Sequence, residues 1–332
     1  VLESAAERCE KARLAGGTQP SSDGAGEMLG QFLGADLPTR LVASLAQLEF
    51  EVRKDVVSVL SAIVRLGTQA DADQQIQQYA MNHPRFFQLL VDGYEVSEIA
   101  THCGMMLRSC ARHSRLVEAF FTQTEVAIKL ISFTRHEAFD ISSDAFSSLH
   151  DFLLTHQTLS AKFLEANFRE FFGIYNGLLQ TGDYVTQRQA LKLLSDMLLE
   201  RKFMRVMMAY IEDEQFLQIH MNLLKADSKA IQLEAFHVFK IFVANPQKPP
   251  RVQQILFKNK DRLITLLEGL KPNRSDDKQF DEDKCTVIGK LQALEAPPPR
   301  PATPGAGPAA APFAATAQEP TASEPSVGQP DA

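Results

Sequence analysis

The sequence contains no tryptophan among its 332 residues, and its aromatic content comes from 22 phenylalanines and five tyrosines. It also has only four cysteines, none of them in a CxxC pair. Such sparse cysteines argue against a structural disulfide and favour a reducing compartment, so we expect a cytoplasmic protein. Cys103 and Cys110, seven residues apart, would lie near one helical face and are predicted to be buried free thiols.

Long apolar runs and signals for secretion are absent as well. No run reaches the roughly 18 apolar residues that a membrane-spanning helix needs, and no segment has the pattern of a signal peptide. The net charge of -7 and the pI near 5.7 argue against a nucleic-acid binder, which would normally be basic.

Motifs for catalysis, cofactors and metals are also missing. The chain has no GxxxxGK[ST] phosphate loop and no GxGxxG, HExxH or GxSxG motif. Its eight histidines are scattered without ligand spacing, and the acidic cluster Asp276 to Asp283 lacks the glycine of a calcium loop. We therefore predict no enzyme activity, no cofactor and no metal.

What the sequence does contain is a pattern that recurs five times at an almost constant interval. Six residues into each segment is a small or β-branched residue, and seven residues further on is a large apolar one. The segments open, at steps of 44, 45, 45 and 45 residues, at Phe50, Tyr94, Phe139, Tyr184 and Lys229. A period of roughly 40–47 residues is the signature of HEAT or armadillo repeats. The sequence therefore predicts an all-α armadillo/HEAT-like solenoid, a right-handed superhelix that binds other proteins.

Within each repeat, apolar residues recur at helical spacings of three and four, and strand-type alternation is never sustained. We predict a long helix that starts at each of the five anchors, preceded by one other helix. Asp183, and either Asp227 or Ser228, are candidate N-cap residues. Prolines from Pro246 onward are expected to end the fifth long helix.

Composition divides the chain into three regions. Residues 1–26 are predicted to form a partial helix and a flexible Gly/Ser loop, and residues 27–295 the helical-repeat domain. Residues 296–332 hold ten of the 17 prolines and are predicted to be a disordered Pro/Ala-rich tail. Because the chain begins at Val1 rather than methionine, we expect it to be a fragment or the product of an incomplete gene model.

Several longer strings are specific enough to point to relatives. The strings are Gly93-Tyr94-Glu95 with Cys103 to Arg108, Phe139 to Phe146, Tyr184 to Leu194, and Glu234 to Pro246. Together they resemble the calcium-binding protein 39 family, also called the Mo-25 scaffold proteins, whose fungal members are the conidiophore-development Hym proteins. The resemblance covers about residues 28–294. It does not extend to the Pro/Ala-rich tail, and no calcium loop matches the family's name.

The resemblance implies an armadillo-like, non-catalytic scaffold for kinases. Its expected partner is a Ser/Thr kinase of the sterile-twenty class or a pseudokinase relative, in a trimer with a liver-type tumour-suppressor kinase in animals. Preferential binding of an active-like kinase conformation would shift the population toward that conformation. The family also implies roles in cell polarity or morphogenesis.

Two surfaces of the family can be placed on matching positions. A pocket that accepts a Trp-Glu-Phe tail of the partner is matched by Arg188 and Met221, while Gln218 replaces a neighbouring family lysine. Arginine can bind a carboxylate bidentately, and methionine packs against aromatic rings. A concave face that contacts the kinase lobe is matched by Phe139, Tyr184 and Lys192.

The residues alone leave two questions open. Phe139 and Tyr184 are equivalent anchors, which suits either an interface or packing between repeats. Arg188 follows its anchor by four, a variable and mostly polar position that is expected to face solvent. The alternative functions are an armadillo-type peptide-binding adaptor unrelated to kinases, which would usually have tryptophans in its groove, and a helical enzyme, which would need a buried ionisable cluster.

Overall fold

A computed structural model of the chain describes residues 22–67, 73–271 and 278–296. Within these ranges all regular structure is helical and consists of 17 α-helices and three single-turn 3-10 helices. This confirms the predicted all-α class. None of the helices described is both long and apolar enough to cross a lipid bilayer.

The helices follow one another with short connections. Their bounds are α1 Ser22–Gly34, α2 Leu37–Ser44, α3 Phe50–Gly67, α4 Asp73–Asn82, α5 Arg85–Asp92, α6 Ser97–Ala111, α7 Ser114–Phe121, α8 Thr124–Phe133, α9 Phe139–Leu154, α10 Gln157–Ala166, α11 Phe168–Thr181, α12 Tyr184–Leu199, α13 Met204–Glu212, α14 Glu214–Leu223, α15 Lys229–Ala244, α16 Pro250–Gly269 and α17 Lys278–Gln292. The 3-10 helices are Leu45–Gln47, Gly93–Glu95 and Arg201–Phe203.

Equivalent helices of successive repeats pack side by side in three rows. The long-helix row consists of α3, α6, α9, α12, α15 and α17, a short-helix row of α4, α7, α10 and α13, and a third row of α2, α5, α8, α11, α14 and α16. This arrangement confirms the helical-repeat solenoid. Each repeat has three helices rather than the two that were predicted, because the helices of the short-helix row have only eight to ten residues, too few turns for the periodicity to separate them.

The recurring apolar positions of the repeat form the core of the solenoid. Every one of them is at most 5% exposed: Val56, Ala100, Ala145, Ala190 and Ala235 at the small position, and Ile63, Leu107, Phe152, Met197 and Phe242 at the large one. Stacked phenylalanines add to the packing, as for Phe120 and Phe152, whose ring centroids are 4.0 Å apart. Cys103 and Cys110 are buried, as predicted, and burial raises the pKa of both thiols to about 12.

Four of the five predicted long helices begin at their anchors, namely α3, α9, α12 and α15. The second does not. Tyr94 lies in the 3-10 turn before α6 and is fully buried, and its hydroxyl donates a hydrogen bond to the carboxylate of Asp144 at 2.8 Å. The prediction for Tyr94 was wrong because this hydroxyl serves an internal junction between repeats.

That junction joins α6 to α9 through a largely buried ion pair. The guanidinium of Arg108 donates to the Asp144 carboxylate at 2.8 Å and to the Ser148 hydroxyl at 3.1 Å. Gly104 makes the close approach possible, since a Cβ at this position would overlap the Asp144 carboxylate and the Tyr94 hydroxyl. The string around Cys103 and Gly104 is thus explained by packing.

Individual helix ends agree with the sequence only in part. Helix α15 ends at Ala244, ahead of Pro246, as expected. Helix α1 begins at Ser22, whereas the flexible loop was predicted to continue to Gly26. The partial helix predicted near the N-terminus and residues 297–332 of the predicted disordered tail lie outside the described residues.

Candidate functional site

Helix α12 carries three of the six predicted site residues on one face. Tyr184, Arg188 and Lys192 follow one another at steps of four residues, which places them on a single stripe of the helix. All three side chains are exposed, Tyr184 by 50% and Lys192 by 65%. The stripe therefore belongs to the surface of the long-helix row.

The start of α12 is fixed by a side-chain cap. The carboxylate of Asp183 accepts a hydrogen bond from the backbone N–H of Thr186 at 2.7 Å, which confirms the predicted N-cap and lowers the pKa of Asp183. Ser228 occupies the same position before α15, but its side chain makes no capping hydrogen bond. The predicted N-cap position of α15 is thus confirmed at Ser228, but the predicted side-chain hydrogen bond is not formed.

Phe139 opens α9 as Tyr184 opens α12, and it is 64% exposed. Because both rings lie at least half in solvent, neither anchor is used mainly for packing between repeats. Phe50 at the start of α3 is likewise 57% exposed, with the ammonium of Lys54 4.3 Å from its ring centroid. Three long helices thus present an aromatic side chain at the same end.

A cleft of about 300 Å³ opens between α9 and α12, which pack less closely than most neighbours in the long-helix row. Lys192 lies at its edge and forms an exposed ion pair with Asp196 at 3.5 Å. The lining residues are Phe146, Ser147, His150, Asp151, Gln189, Lys192, Leu193 and Asp196. The cleft is large enough to take a side chain of a partner protein beside Lys192.

Arg188 is an exposed cation on this surface. Among the described residues it makes no hydrogen bond or ion pair, in contrast to Arg108 and Arg251, which pair with acids at 2.8 and 2.9 Å. Its solvent exposure agrees with the expectation from the repeat pattern. An unpaired guanidinium can donate two parallel hydrogen bonds to a carboxylate.

The two remaining pocket residues lie on α14, three positions apart. Met221 is 7% exposed and Gln218 is exposed. Helices α12 and α14 both pack against α15, and both also contact α11 and α13. The structure thus brings Arg188 together with Tyr184 and Lys192, while Met221 and Gln218 lie on a different helix of the same repeat region.

One ionisable residue next to these positions was not identified from the sequence. Glu234 on α15 is half-buried beside α12, and within the described ranges it makes no hydrogen bond or ion pair. Burial raises the pKa of its carboxyl group, and Asp196 acts in the same direction, while Lys192 and Arg188 oppose the shift. A signal was available, because Glu234 follows its anchor by five, as Asp144 does.

Among the residues that the structure describes, no group of three or more His, Cys, Asp or Glu side chains is placed to hold a metal ion.

Comparison with known proteins gives a consistent family. The model of the family described as Mo25-like matches residues 10–295. The chain is 42% identical over 260 residues to the degreening-related gene dee76 protein of Auxenochlorella protothecoides, covering 78% of this chain and 80% of the relative. It is 38% identical over 276 residues to the Mo25-like protein of Schizosaccharomyces pombe, covering 83% of each.

A human relative, calcium-binding protein 39-like, is 37% identical over 279 residues, which cover 83% of this chain and 81% of the relative. A family match across most of the chain, together with relatives of this identity and coverage, settles the resemblance first seen in the short strings. The chain belongs to the Mo25-like family.

Proposed function

We propose that this chain is a non-catalytic scaffold that binds and allosterically activates a sterile-twenty-type Ser/Thr kinase or pseudokinase. Membership of the Mo25-like family supports a scaffold role in kinase signalling in general. The finer proposal places the protein in the cytoplasm, in signalling linked to cell polarity or morphogenesis. It includes a trimer with a kinase of the liver-type tumour-suppressor class.

The observation that carries the proposal is the exposed aromatic and cationic surface of the long-helix row. Phe139 at the start of α9 is 64% exposed, and Tyr184 at the start of α12 is 50% exposed. Lys192 lines the cleft between these two helices. Exposed tyrosines of this kind are frequent interface hot spots. In the proposal this is the concave face that contacts the kinase lobe, and preferential binding of the active conformation shifts the kinase population.

The proposed tail pocket uses the neighbouring part of the same solenoid. Arg188 makes no hydrogen bond or ion pair within the described ranges and is available to the carboxylate of a Trp-Glu-Phe tail, while the largely buried Met221 would supply an apolar contact. Gln218 stands where the family has a lysine, so the pocket has one positive charge fewer. We expect Gln218→Lys to strengthen binding of the acidic tail.

Kinase activation tests the first surface. With a recombinant sterile-twenty-type kinase, Phe139→Ala and Tyr184→Ala should each reduce the activation produced by this chain at least fivefold, because each removes an interface aromatic. Leu199→Ala is the matched control, since Leu199 is an equally exposed apolar residue (55%) at the other end of α12. Unchanged activation by both anchor variants would refute the surface.

Peptide binding tests the proposed tail pocket. By fluorescence anisotropy, Arg188→Ala should weaken a peptide ending in Trp-Glu-Phe by roughly tenfold to a hundredfold, the range expected for a charge-assisted hydrogen bond. Arg169→Ala, which removes an arginine that is 89% exposed on α11, controls for the change in net charge. If both variants bind like the wild type, the pocket is wrongly placed.

A further inference from the structure

A second cavity, of about 600 Å³, opens on the short-helix row. Helix α10 packs against α7 and against the 3-10 helix Arg201–Phe203, and residues of these three elements line the cavity together with the turn between α9 and α10. It has twice the volume of the cleft between α9 and α12 and shares no lining residue with it. The cavity is therefore separate from the surfaces assigned above to the kinase and its tail.

The charged side chains around this cavity have a positive balance. Arg115 and Lys202 carry positive charges, and among the described residues that line the cavity Glu118 is the one acid. Glu118 already has partners, because its Oε2 accepts a hydrogen bond from Gln77 at 3.0 Å and lies 3.6 Å from the Arg115 guanidinium. Lys202 is exposed and makes no hydrogen bond or ion pair within the described ranges. Its ammonium group is available to an anion.

Uncharged donors line the cavity as well. The hydroxyl groups of Ser114, Thr155 and Thr158 make no hydrogen bond in the part of the chain that the structure describes. The backbone N–H groups of Gln157 and Thr158 open α10 and have no acceptor there either, as is usual for the first turn of a helix. The N-cap residue His156 makes no capping hydrogen bond, and its buried Nε2 has no partner, so neither group is committed elsewhere.

The size and charge of the cavity limit the kind of ligand that fits it. The whole chain has a net charge of -7, which disfavours an extended polyanion such as a nucleic acid. A compact anion inside the cavity instead meets a free ammonium group and several N–H and O–H donors at short range. A phosphate monoester has a charge of about -1.5 to -2 at pH 7 and three strong acceptor oxygens, so it matches this set of donors better than a carboxylate does.

We propose that this cavity binds a phosphate monoester group, with Lys202 and the first N–H groups of α10 as its principal donors. The hydroxyl groups of Ser114, Thr155 and Thr158 supply further hydrogen bonds. A small soluble phosphate ester and a phosphorylated serine or threonine of another protein both present this group. The site depends on neither the kinase-facing surface nor the tail pocket, and it goes beyond the function proposed above.

Amide NMR spectra of the isotope-labelled full chain test the site. Titration with N-acetyl-O-phosphothreonine methylamide to about 10 mM should shift the amide signals of Gln157 and Thr158 saturably. Lys202→Gln should weaken this binding about tenfold, because it removes a charge-assisted hydrogen bond. Lys162→Gln is the matched control, since Lys162 is an exposed lysine of α10 that does not line the cavity. The control should bind as the wild type does.

Two further probes define what is recognised. N-acetylaspartate methylamide, which has a carboxylate in place of the phosphate, should bind about tenfold more weakly. Glycerol phosphate distinguishes the sources: tighter binding than phosphothreonine supports a soluble ester, and weaker binding supports a phosphorylated protein. Equal affinities for the aspartate and phosphothreonine probes would refute phosphate selectivity. If neither phosphate gives saturable shifts, or if Lys202→Gln binds like the wild type, the proposed site is refuted.

Discussion

At the scale of single residues, glycines divide into those that are needed for packing and those that are not. Gly104 lies where a Cβ would overlap the Asp144 carboxylate, whereas Gly173 in α11 has nothing within 4 Å of its Cβ position. Gly104→Ala should lower the free energy of unfolding by about 3 kcal/mol, because it overpacks the junction and displaces its ion pair. Gly173→Ala should raise stability by up to about 1 kcal/mol through helix propensity. Urea denaturation monitored by circular dichroism measures both, and equal effects would contradict the assignment.

His220 is a second residue with a specific consequence, this time for pH. It is fully buried on α14, its Nε2 bonds the Tyr210 hydroxyl at 2.9 Å, and burial lowers its pKa to about 3. The unfolded state, with a pKa near 6.5, binds the proton first, so stability is lost as pH falls from about 6.5 toward 3. Between pH 7 and 5 the loss from this group is about 2 kcal/mol.

The corresponding experiment compares the wild type with His220→Gln. The variant keeps a hydrogen-bonding side chain and cannot take up the proton. Between pH 7 and 5 its free energy of unfolding should therefore fall by about 2 kcal/mol less than that of the wild type. Parallel pH dependences of the two proteins would show that His220 is not responsible.

At the scale of helices, the junctions between long helices are not equally strong. Asp144→Ala should cost about 3 kcal/mol, because it leaves Arg108 without its acid between α6 and α9, where the two side chains are only 22% and 14% exposed. Asp196→Ala breaks a solvent-exposed pair on α12 and should cost less than about 0.5 kcal/mol. Chemical denaturation distinguishes the two, and similar losses would argue against a structural role for the α6–α9 pair.

The helices also show how far the sequence could be interpreted. The repeat anchors predicted the first residue of α3, α9, α12 and α15, because a buried small position and a buried large position fix the register of each long helix. The start of α6 was not predicted correctly, because the Tyr94 hydroxyl donates a hydrogen bond to Asp144. This contact spans 50 residues, and no local pattern contains it. The short helices α7 and α13 were not predicted, because helices of eight or nine residues have too few turns to show a clear period.

The candidate site was predictable only in part. Exposure of Arg188 follows from its place in the repeat, and exposure of Phe139 and Tyr184 is seen only in the structure. Glu234 was overlooked because its partial burial beside α12 results from a contact between repeats, which no local pattern contains.

At the scale of the whole molecule, a solenoid has interactions mainly between neighbouring repeats, so a local defect should stay local. In Gly104→Ala, hydrogen exchange should accelerate in α3 to α9 and remain nearly unchanged in α12 to α15. The affinity for the Trp-Glu-Phe peptide should also be that of the wild type. Acceleration spread evenly over all helices would instead indicate a single cooperative unit.

The α6–α9 junction has a consequence for how substitutions act along such a chain. Arg108 pairs with Asp144 in this junction, whereas Leu198 stands at the position of Arg108 in the junction between α12 and α15. One junction is therefore held by an ion pair and the other by apolar packing. In a periodic protein, the same substitution can thus be tolerated in one repeat and damaging in the next, with no change to the fold that surrounds it.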